Sequence, residues 1–162
     1  MRTKRTALLG ITVTIALIMS YIESFFPLHF AVPGIKIGLA NIVIIFVLYK
    51  MSTVDAIIVS SVRILLVSLL FGNVMALAYS IAGTVLSLSL MLVLKKSEKF
   101  SIVGVSVAGA VMHNIGQILM AMIILKTNEI VYYLPVLAVS GIIAGVVIGI
   151  VSAVITERIK NI

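Results

Sequence analysis

The chain has 162 residues, of which 62% are hydrophobic and only 10% are charged. This composition excludes an ordinary soluble globular domain and is typical of an integral membrane protein. The absence of cysteine excludes disulfides, cysteine-ligated metals and thiol nucleophiles. The net charge of +7 would suit a nucleic-acid partner in a soluble protein, but the basic residues lie between apolar segments, so we expect no nucleic-acid binding.

Six apolar segments predict a compact all-α bundle of six transmembrane helices in a single domain, residues 1–162. The hydrocarbon core of a bilayer is about 30 Å thick and requires about 20 apolar residues per helix. The helices are predicted over about 7–22, 35–49, 54–71, 74–94, 102–125 and 133–155. The apolar linker 23–34 is predicted to be partly re-entrant. The basic start of the chain also resembles a secretory signal, but the five spans behind it favour an uncleaved first helix.

The distribution of Lys and Arg predicts the orientation of the bundle. If the N-terminus is cytoplasmic, nine basic residues lie at inside ends and two, Lys36 and Lys126, lie outside. The nine are Arg2, Lys4, Arg5, Lys50, Lys95, Lys96, Lys99, Arg158 and Lys160. Both termini are therefore predicted to be cytoplasmic, and the lipid bilayer is the surrounding partner.

The stretch from Pro33 to Asn41 combines a turn, small residues, a cation and an amide. Pro33-Gly34 predicts a turn, with a helix that begins at or just after Gly34 and places Lys36 in its first turn. A cation there is unfavourable by about 0.3–1 kcal/mol because it meets the positive end of the helix dipole. An anion at the same place would be held by free backbone N–H groups and by the ammonium, so this stretch indicates an anion site.

Several polar side chains fall within the apolar segments, where a charged group costs about 2.5–3.5 kcal/mol on insertion scales and usually marks a site. All of them lie near the midplane or in the outer half, which predicts a pocket open to the outside. The candidate ligand-binding residues are Glu23, Gly34, Lys36, Gly38, Asn41, Arg63, His113, Asn114 and Gln117. The alternatives are a structural role for the Arg63 cation, interhelical hydrogen bonds for the amides and the histidine, and snorkelling of Lys36 to headgroups.

Small residues four apart allow helix backbones to approach closely in lipid. One row, Thr12, Ala16 and Ser20, lies on the first helix, and another, Gly141, Gly145 and Gly149, lies on the sixth. These rows are candidates for docking a partner membrane protein, and the alternative is packing within the chain.

We find no constellation for catalysis. Asp55 is the only aspartate, and the four glutamates are dispersed along the chain. Paired carboxylates, a phosphate-binding loop, a nucleophile elbow and a zinc-protease motif are all absent from the sequence. We therefore expect no enzyme activity, no metal and no cofactor.

Two strings, Pro-Gly-x-Lys-x-Gly-x-Ala-Asn at 33–41 and Ala-x-x-His-Asn-x-Gly-Gln at 110–117, resemble the Gx transporter family, which is also labelled heptaprenyl diphosphate synthase component I. Further matching strings are Ile22-Glu23-Ser24, Arg63 with Ser68-Leu69-Leu70-Phe71-Gly72, and Tyr132-Tyr133-Leu134-Pro135. The family is similar to the S components of energy-coupling factor vitamin transporters. The resemblance implies a six-helix fold in a prokaryotic plasma membrane, an outward-facing ligand pocket, and a transmembrane energising subunit with ATPases as partner.

Two motifs that the resemblance leads us to expect are missing from this sequence. S components usually dock their energising partner through Ala-x-x-x-Ala on the first helix, where this chain has Thr12, Ala16 and Ser20. Prenyl synthases bind Mg²⁺ through aspartate-rich motifs, which a single aspartate cannot supply. The leading hypothesis is a substrate-binding subunit of an uptake transporter for a small anionic or amphipathic molecule. The alternative is a non-catalytic accessory or scaffold subunit for prenyl diphosphate or quinone-linked redox enzymes.

Overall fold

The structure, a computed structural model, describes residues 2–25 and 38–159, and these ranges are helical and contain no strand. Six α-helices follow one another, with a 3₁₀ turn, Glu129–Tyr133, before the last. They are α1 (Arg2–Ser24), α2 (Ala40–Lys50), α3 (Thr53–Phe71), α4 (Val74–Ser97), α5 (Ile102–Leu125) and α6 (Leu134–Arg158). The predicted all-α bundle of six helices is confirmed.

Five of the six helices are long and apolar enough to cross a membrane. Their outward faces carry large apolar side chains, such as Leu69, Val74 and Ile123, which are 70–83% exposed. A water-soluble protein would bury such residues, whereas lipid solvates them. Helix α2 has only 11 residues, which is roughly 16 Å of helix and about half of the hydrocarbon core. The chain is a multi-pass membrane protein.

Side-chain caps fix the starts of three helices. The hydroxyls of Ser52 and Ser101 accept the N–H groups of Asp55 and Gly104, at 3.1 Å in both cases. The side-chain oxygen of Asn73 accepts the N–H of Ala76 at 2.8 Å and caps α4. The helices that these residues cap begin at Thr53, Val74 and Ile102, within one residue of the predicted starts of α3, α4 and α5.

Two helices begin more than one residue away from their predicted starts. Helix α2 begins at Ala40 and not at Ile35, because Gly38 has a φ of +80°, which no continuous right-handed helix contains. Lys36, predicted in the first turn of this helix, lies outside the described residues. Helix α1 begins at Arg2 and not at Ala7, since the basic residues before the apolar run continue the helix.

Consecutive helices run antiparallel, so α1 begins and α6 ends at the same end of the bundle, here called the terminal end. Two side-chain contacts join helices there. The guanidinium of Arg5 on α1 donates to the Asp55 carboxylate at the start of α3, with contacts of 2.6 and 3.0 Å. The ammonium of Lys95 at the end of α4 donates to the Leu48 carbonyl in the last turn of α2, and it also lies 5.3 Å from the centre of the Tyr49 ring. The opposite end, here called the distal end, carries the contact between Tyr21 and Phe71, whose ring centres are 5.2 Å apart.

The short helix α2 lies against α1, α3 and α6, and α4 and α5 complete the ring. Its side chains form the centre of the apolar core, where Ile45, Val47 and Leu48 are fully buried together with Val59 of α3. This core fills the terminal half of the bundle.

Glycines set the close packing of α5 against α6. A Cβ added at Gly145 or Gly149 would lie 2.7 Å from the Cα of Val107 or Val103, respectively. Gly141 faces the Asn114 side chain in the same interface. Helix α5 of the same chain therefore covers Gly141, Gly145 and Gly149, which agrees with the alternative of packing within the chain.

The row on α1 is also turned inward. Thr12 is 6% exposed and Ala16 is fully buried, on the side of α1 that packs against α2 and α3. Ser20, one turn further, faces a cavity inside the bundle. The alternative of packing within the chain accounts for Thr12 and Ala16.

Candidate functional site

A cavity of about 300 Å³ lies inside the bundle, and all six helices contribute to its wall. It reaches from Glu23 and Gly72 at the distal end inward to Met91 and Ser106. Its inner end is closed by the apolar core, since Met91 and Ile148 belong both to that core and to the cavity wall. We call this space the central cavity. Its volume is at the lower end of the range for small-molecule pockets, about 300–1,000 Å³.

Arg63 is the cation of the central cavity. It lies halfway along α3, and its Nε is buried without a hydrogen-bond partner. No hydrogen bond or ion pair joins its side chain to the described residues, although it lies within the electrostatic field of the Glu23 carboxylate. A buried cation without a hydrogen-bond partner is costly in a low-dielectric interior, so Arg63 is poised for an anion that the described residues do not bond to it.

Glu23 forms the rim of the cavity where α1 meets the start of α2. Its carboxylate accepts a hydrogen bond from the backbone N–H of Gly38. The positive φ of Gly38 turns the chain at this point, and the Gly38 carbonyl then accepts the Asn41 N–H at 2.8 Å. The carboxylate and the turn together bring Glu23, Gly38 and Asn41 to the cavity wall.

Helix α5 presents His113 and Asn114 to the cavity. The Asn114 amide donates to the Leu137 carbonyl of α6 at 2.6 Å, so it also bonds two helices together. A Cβ at Gly83 of α4 would lie 2.9 Å from the His113 ring, so that glycine makes room for the imidazole. The α4 and α6 surfaces thus hold both side chains in place.

Apolar side chains make up much of the remaining wall. Ile45 of α2, Ile64 and Val67 of α3, Met91 of α4 and Ile148 of α6 line the interior. The site therefore combines one partnerless cation and a few amides and hydroxyls with an apolar interior. Such a combination suits a small ligand with a polar end and an apolar body.

The structure brings together most of the residues predicted for a ligand site. Glu23, Gly38, Asn41, Arg63, His113 and Asn114 all line the central cavity. Gln117, one turn beyond His113, is half-buried but is not among the lining residues. Gly34 and Lys36 lie outside the described residues.

Five serines in the wall were not predicted as ligand contacts. They are Ser20, Ser24, Ser68, Ser80 and Ser106. Ser20 was predicted only for docking, and its buried hydroxyl has no hydrogen-bond partner. Serine is common throughout these apolar segments and bonds readily to its own helix, so the sequence carries no signal that separates wall serines from the rest.

Within the part of the chain that the structure describes, no three His, Asp or Glu side chains are grouped so that they could hold a metal ion. Asp55, the single aspartate, is engaged by Arg5 and by the Ser52 hydroxyl at 2.8 Å, at the terminal end and away from the cavity wall.

A model of the family described as heptaprenyl diphosphate synthase component I matches residues 12–155. Every helix that lines the central cavity falls largely within this match. None of the curated proteins and none of the solved structures compared with the chain matches it.

Proposed function

Because the chain belongs to the heptaprenyl diphosphate synthase component I family, a family of membrane proteins, we propose that it is the substrate-binding subunit of a small-molecule uptake transporter. In this proposal the central cavity binds a small anionic or amphipathic molecule, and the chain has no catalytic role. The cavity opens outward and the termini are cytoplasmic in a prokaryotic plasma membrane, as the positive-inside rule predicts.

The observation that carries the proposal is the partnerless Arg63 Nε in a cavity walled by all six helices. A cation required only for folding would bond to a carboxylate or to helix-end carbonyls, as Arg5 and Lys95 do. Arg63 has no such bond to the described residues, and it faces an enclosed space that is large enough for a ligand. A ligand anion would supply the missing partner.

The proposed ligand contacts are Arg63, Asn41, His113 and Asn114 in the wall and Glu23 and Gly38 at the rim. Gly34, Lys36 and Gln117 complete the set by proposal from the sequence alone. The energising partner would be a transmembrane subunit with ATPases, and it would contact a lipid-facing surface other than the two buried small-residue rows.

The test is ligand binding by the full chain in mild detergent. Arg63→Gln and Lys36→Gln, made singly, are expected to weaken retention of the co-purified small molecule, because each removes a cation that would pair with the ligand anion. Lys126→Gln, which removes the other outside lysine, is the matched control and is expected to bind as the wild type does. Equal retention by the wild type and both variants would contradict the proposed site.

The family description itself favours a second function, since it names a component of a synthase. In that alternative the chain is a non-catalytic accessory or scaffold subunit for prenyl diphosphate or quinone-linked redox enzymes. Affinity purification from membranes separates the two: an ATPase module with a bound small molecule supports transport. A prenyl synthase or a redox enzyme, with an empty cavity, supports the scaffold.

A further inference from the structure

We infer that the central cavity takes a small monocarboxylate with a compact apolar body, and that it excludes prenyl diphosphates. This inference rests on the proposed binding role of the cavity and assigns the class of ligand. Three properties of the described wall lead to it: its charge balance, its volume, and the position of the cation between polar and apolar surfaces.

The charge balance limits the charge of the ligand. Among the described lining residues, Arg63 and Glu23 are the side chains that carry a full charge at neutral pH, apart from the titratable His113. Glu23 keeps its carboxylate at the rim through the Gly38 N–H, so its negative charge stays in the site. One guanidinium can pair with one carboxylate in a bidentate contact. A second negative charge on the ligand would have no cation and would face Glu23.

A diphosphate is a poor match for this balance. A phosphate monoester already carries about −1.5 to −2 at neutral pH, and a diphosphate carries more. Lys36, outside the described residues, contributes one further positive charge to the chain, which still leaves a diphosphate in excess over the available cations. In a low-dielectric interior an uncompensated charge is strongly disfavoured.

The volume limits the size of the ligand. A cavity of about 300 Å³ lies at the lower end of the range for small-molecule pockets, about 300–1,000 Å³. A long prenyl chain is much larger than this, and the inner end offers no exit because the apolar core closes it.

The wall also assigns the orientation of the ligand. Arg63 lies at mid-depth, with the rim carboxylate of Glu23 on its distal side and apolar Met91 and Ile148 toward the core. A carboxylate at Arg63 therefore places the rest of the molecule against the apolar wall, where hydroxyls such as Ser80 and Ser106 can meet a single polar substituent.

The test begins with extraction of small molecules from the wild-type chain and from Arg63→Gln, each purified in mild detergent, followed by mass spectrometry. We expect the wild type to release a low-mass acid without phosphorus. Arg63→Gln should release at least about tenfold less of this acid, because the variant lacks a charged hydrogen bond to it. A released molecule that carries a diphosphate or lacks a carboxylate would overturn the inference and leave the binding role standing. Release of no small molecule from the wild type would contradict the binding role itself, and the inference with it.

A matched set of probes gives an independent readout. Geranate, geraniol and geranyl diphosphate share one short chain and differ in the head group. The midpoint temperature of thermal unfolding is followed by circular dichroism of the full chain at equal ionic strength. Geranate should raise this temperature more than the other two compounds do, and the difference should disappear in Arg63→Gln. A larger, Arg63-dependent rise with geranyl diphosphate would overturn the inference.

Discussion

The carboxylate of Glu23, at the end of α1, accepts the backbone N–H of Gly38, just before α2 begins. This bond joins the end of α1 to the turn before α2 and fixes the rim of the central cavity. Glu23→Ala removes the acceptor and is expected to destabilise the chain by about 1.5–3 kcal/mol, as for other hydrogen bonds to a charged group.

Glu23→Gln keeps an acceptor oxygen while it removes the charge, so its loss should be smaller than that of Glu23→Ala. The free energy of unfolding in detergent, followed by circular dichroism, is the measurement. Glu129→Ala is the control, since Glu129 lies in the 3₁₀ turn at the same end of the bundle and does not line the cavity. If Glu23→Ala is as stable as the wild type, the rim bond does not hold the two helices together.

A second prediction concerns the glycine interface of α5 and α6. Gly145→Ala places a Cβ 2.7 Å from the backbone of Val107, which cannot move aside as a side-chain end could, so we expect a loss of about 1–3 kcal/mol. Gly10→Ala is the matched control, because nothing lies within 4 Å of its Cβ position on the exposed face of α1. There the greater helix propensity of alanine should raise stability by up to about 1 kcal/mol.

Substitution of glycine by alanine should thus lower stability at Gly145 and raise it at Gly10. Unfolding of both variants under one condition measures the difference. If Gly145→Ala unfolds at the wild-type midpoint, the helices are not packed as closely as the structure places them.

The third prediction separates a structural arginine from a binding arginine. Arg63→Gln should leave the stability of the ligand-free chain unchanged or higher, since it removes a buried charge whose Nε has no partner. Arg5→Gln should lower stability, because it leaves the Asp55 carboxylate, which is 3% exposed, without its cation. Because Arg5 is mostly exposed and its charge is screened by water, we expect the Arg5–Asp55 ion pair to contribute about 1 kcal/mol to this loss of stability.

The measurement is the unfolding midpoint of both variants after exhaustive washing in detergent. A drop in Arg63→Gln equal to that in Arg5→Gln would assign Arg63 a structural role and would contradict the binding role proposed for it.

Sequence patterns predict the starts of the helices well where an N-capping residue precedes the helix. Ser101 and Asn73 cap α5 and α4 at the predicted starts. The start of α2 could not be predicted in this way, because the turn occurs at Gly38 and the sequence offers an earlier Pro33-Gly34. Glycine is frequent within transmembrane helices, so its presence at 38 does not by itself predict a break.

The cost of burying polar groups explains why the sequence predicts several of the polar residues that line the cavity. Arg63, Asn41, His113 and Asn114 are expensive in an apolar segment, and all four line one cavity. Spacing alone could not assign the faces of the small-residue rows, because a row that allows close approach is the same for an internal and an external partner. Gly145 therefore proved to face α5, and Ser20 to face the cavity.

The central claim is that a small molecule occupies the cavity inside the bundle, and a pair of bulky substitutions on one helix tests it most directly. Ala144→Phe fills the cavity wall on α6, whereas Val147→Phe adds the same ring to a position that is 54% exposed on the lipid-facing side. Native mass spectrometry of the wild type and both variants, each checked for its unfolding midpoint, counts bound small molecules. We expect a bound mass in the wild type and in Val147→Phe, and we expect Ala144→Phe to lose it. The same bound mass retained by a folded Ala144→Phe, or none in the wild type, would contradict it.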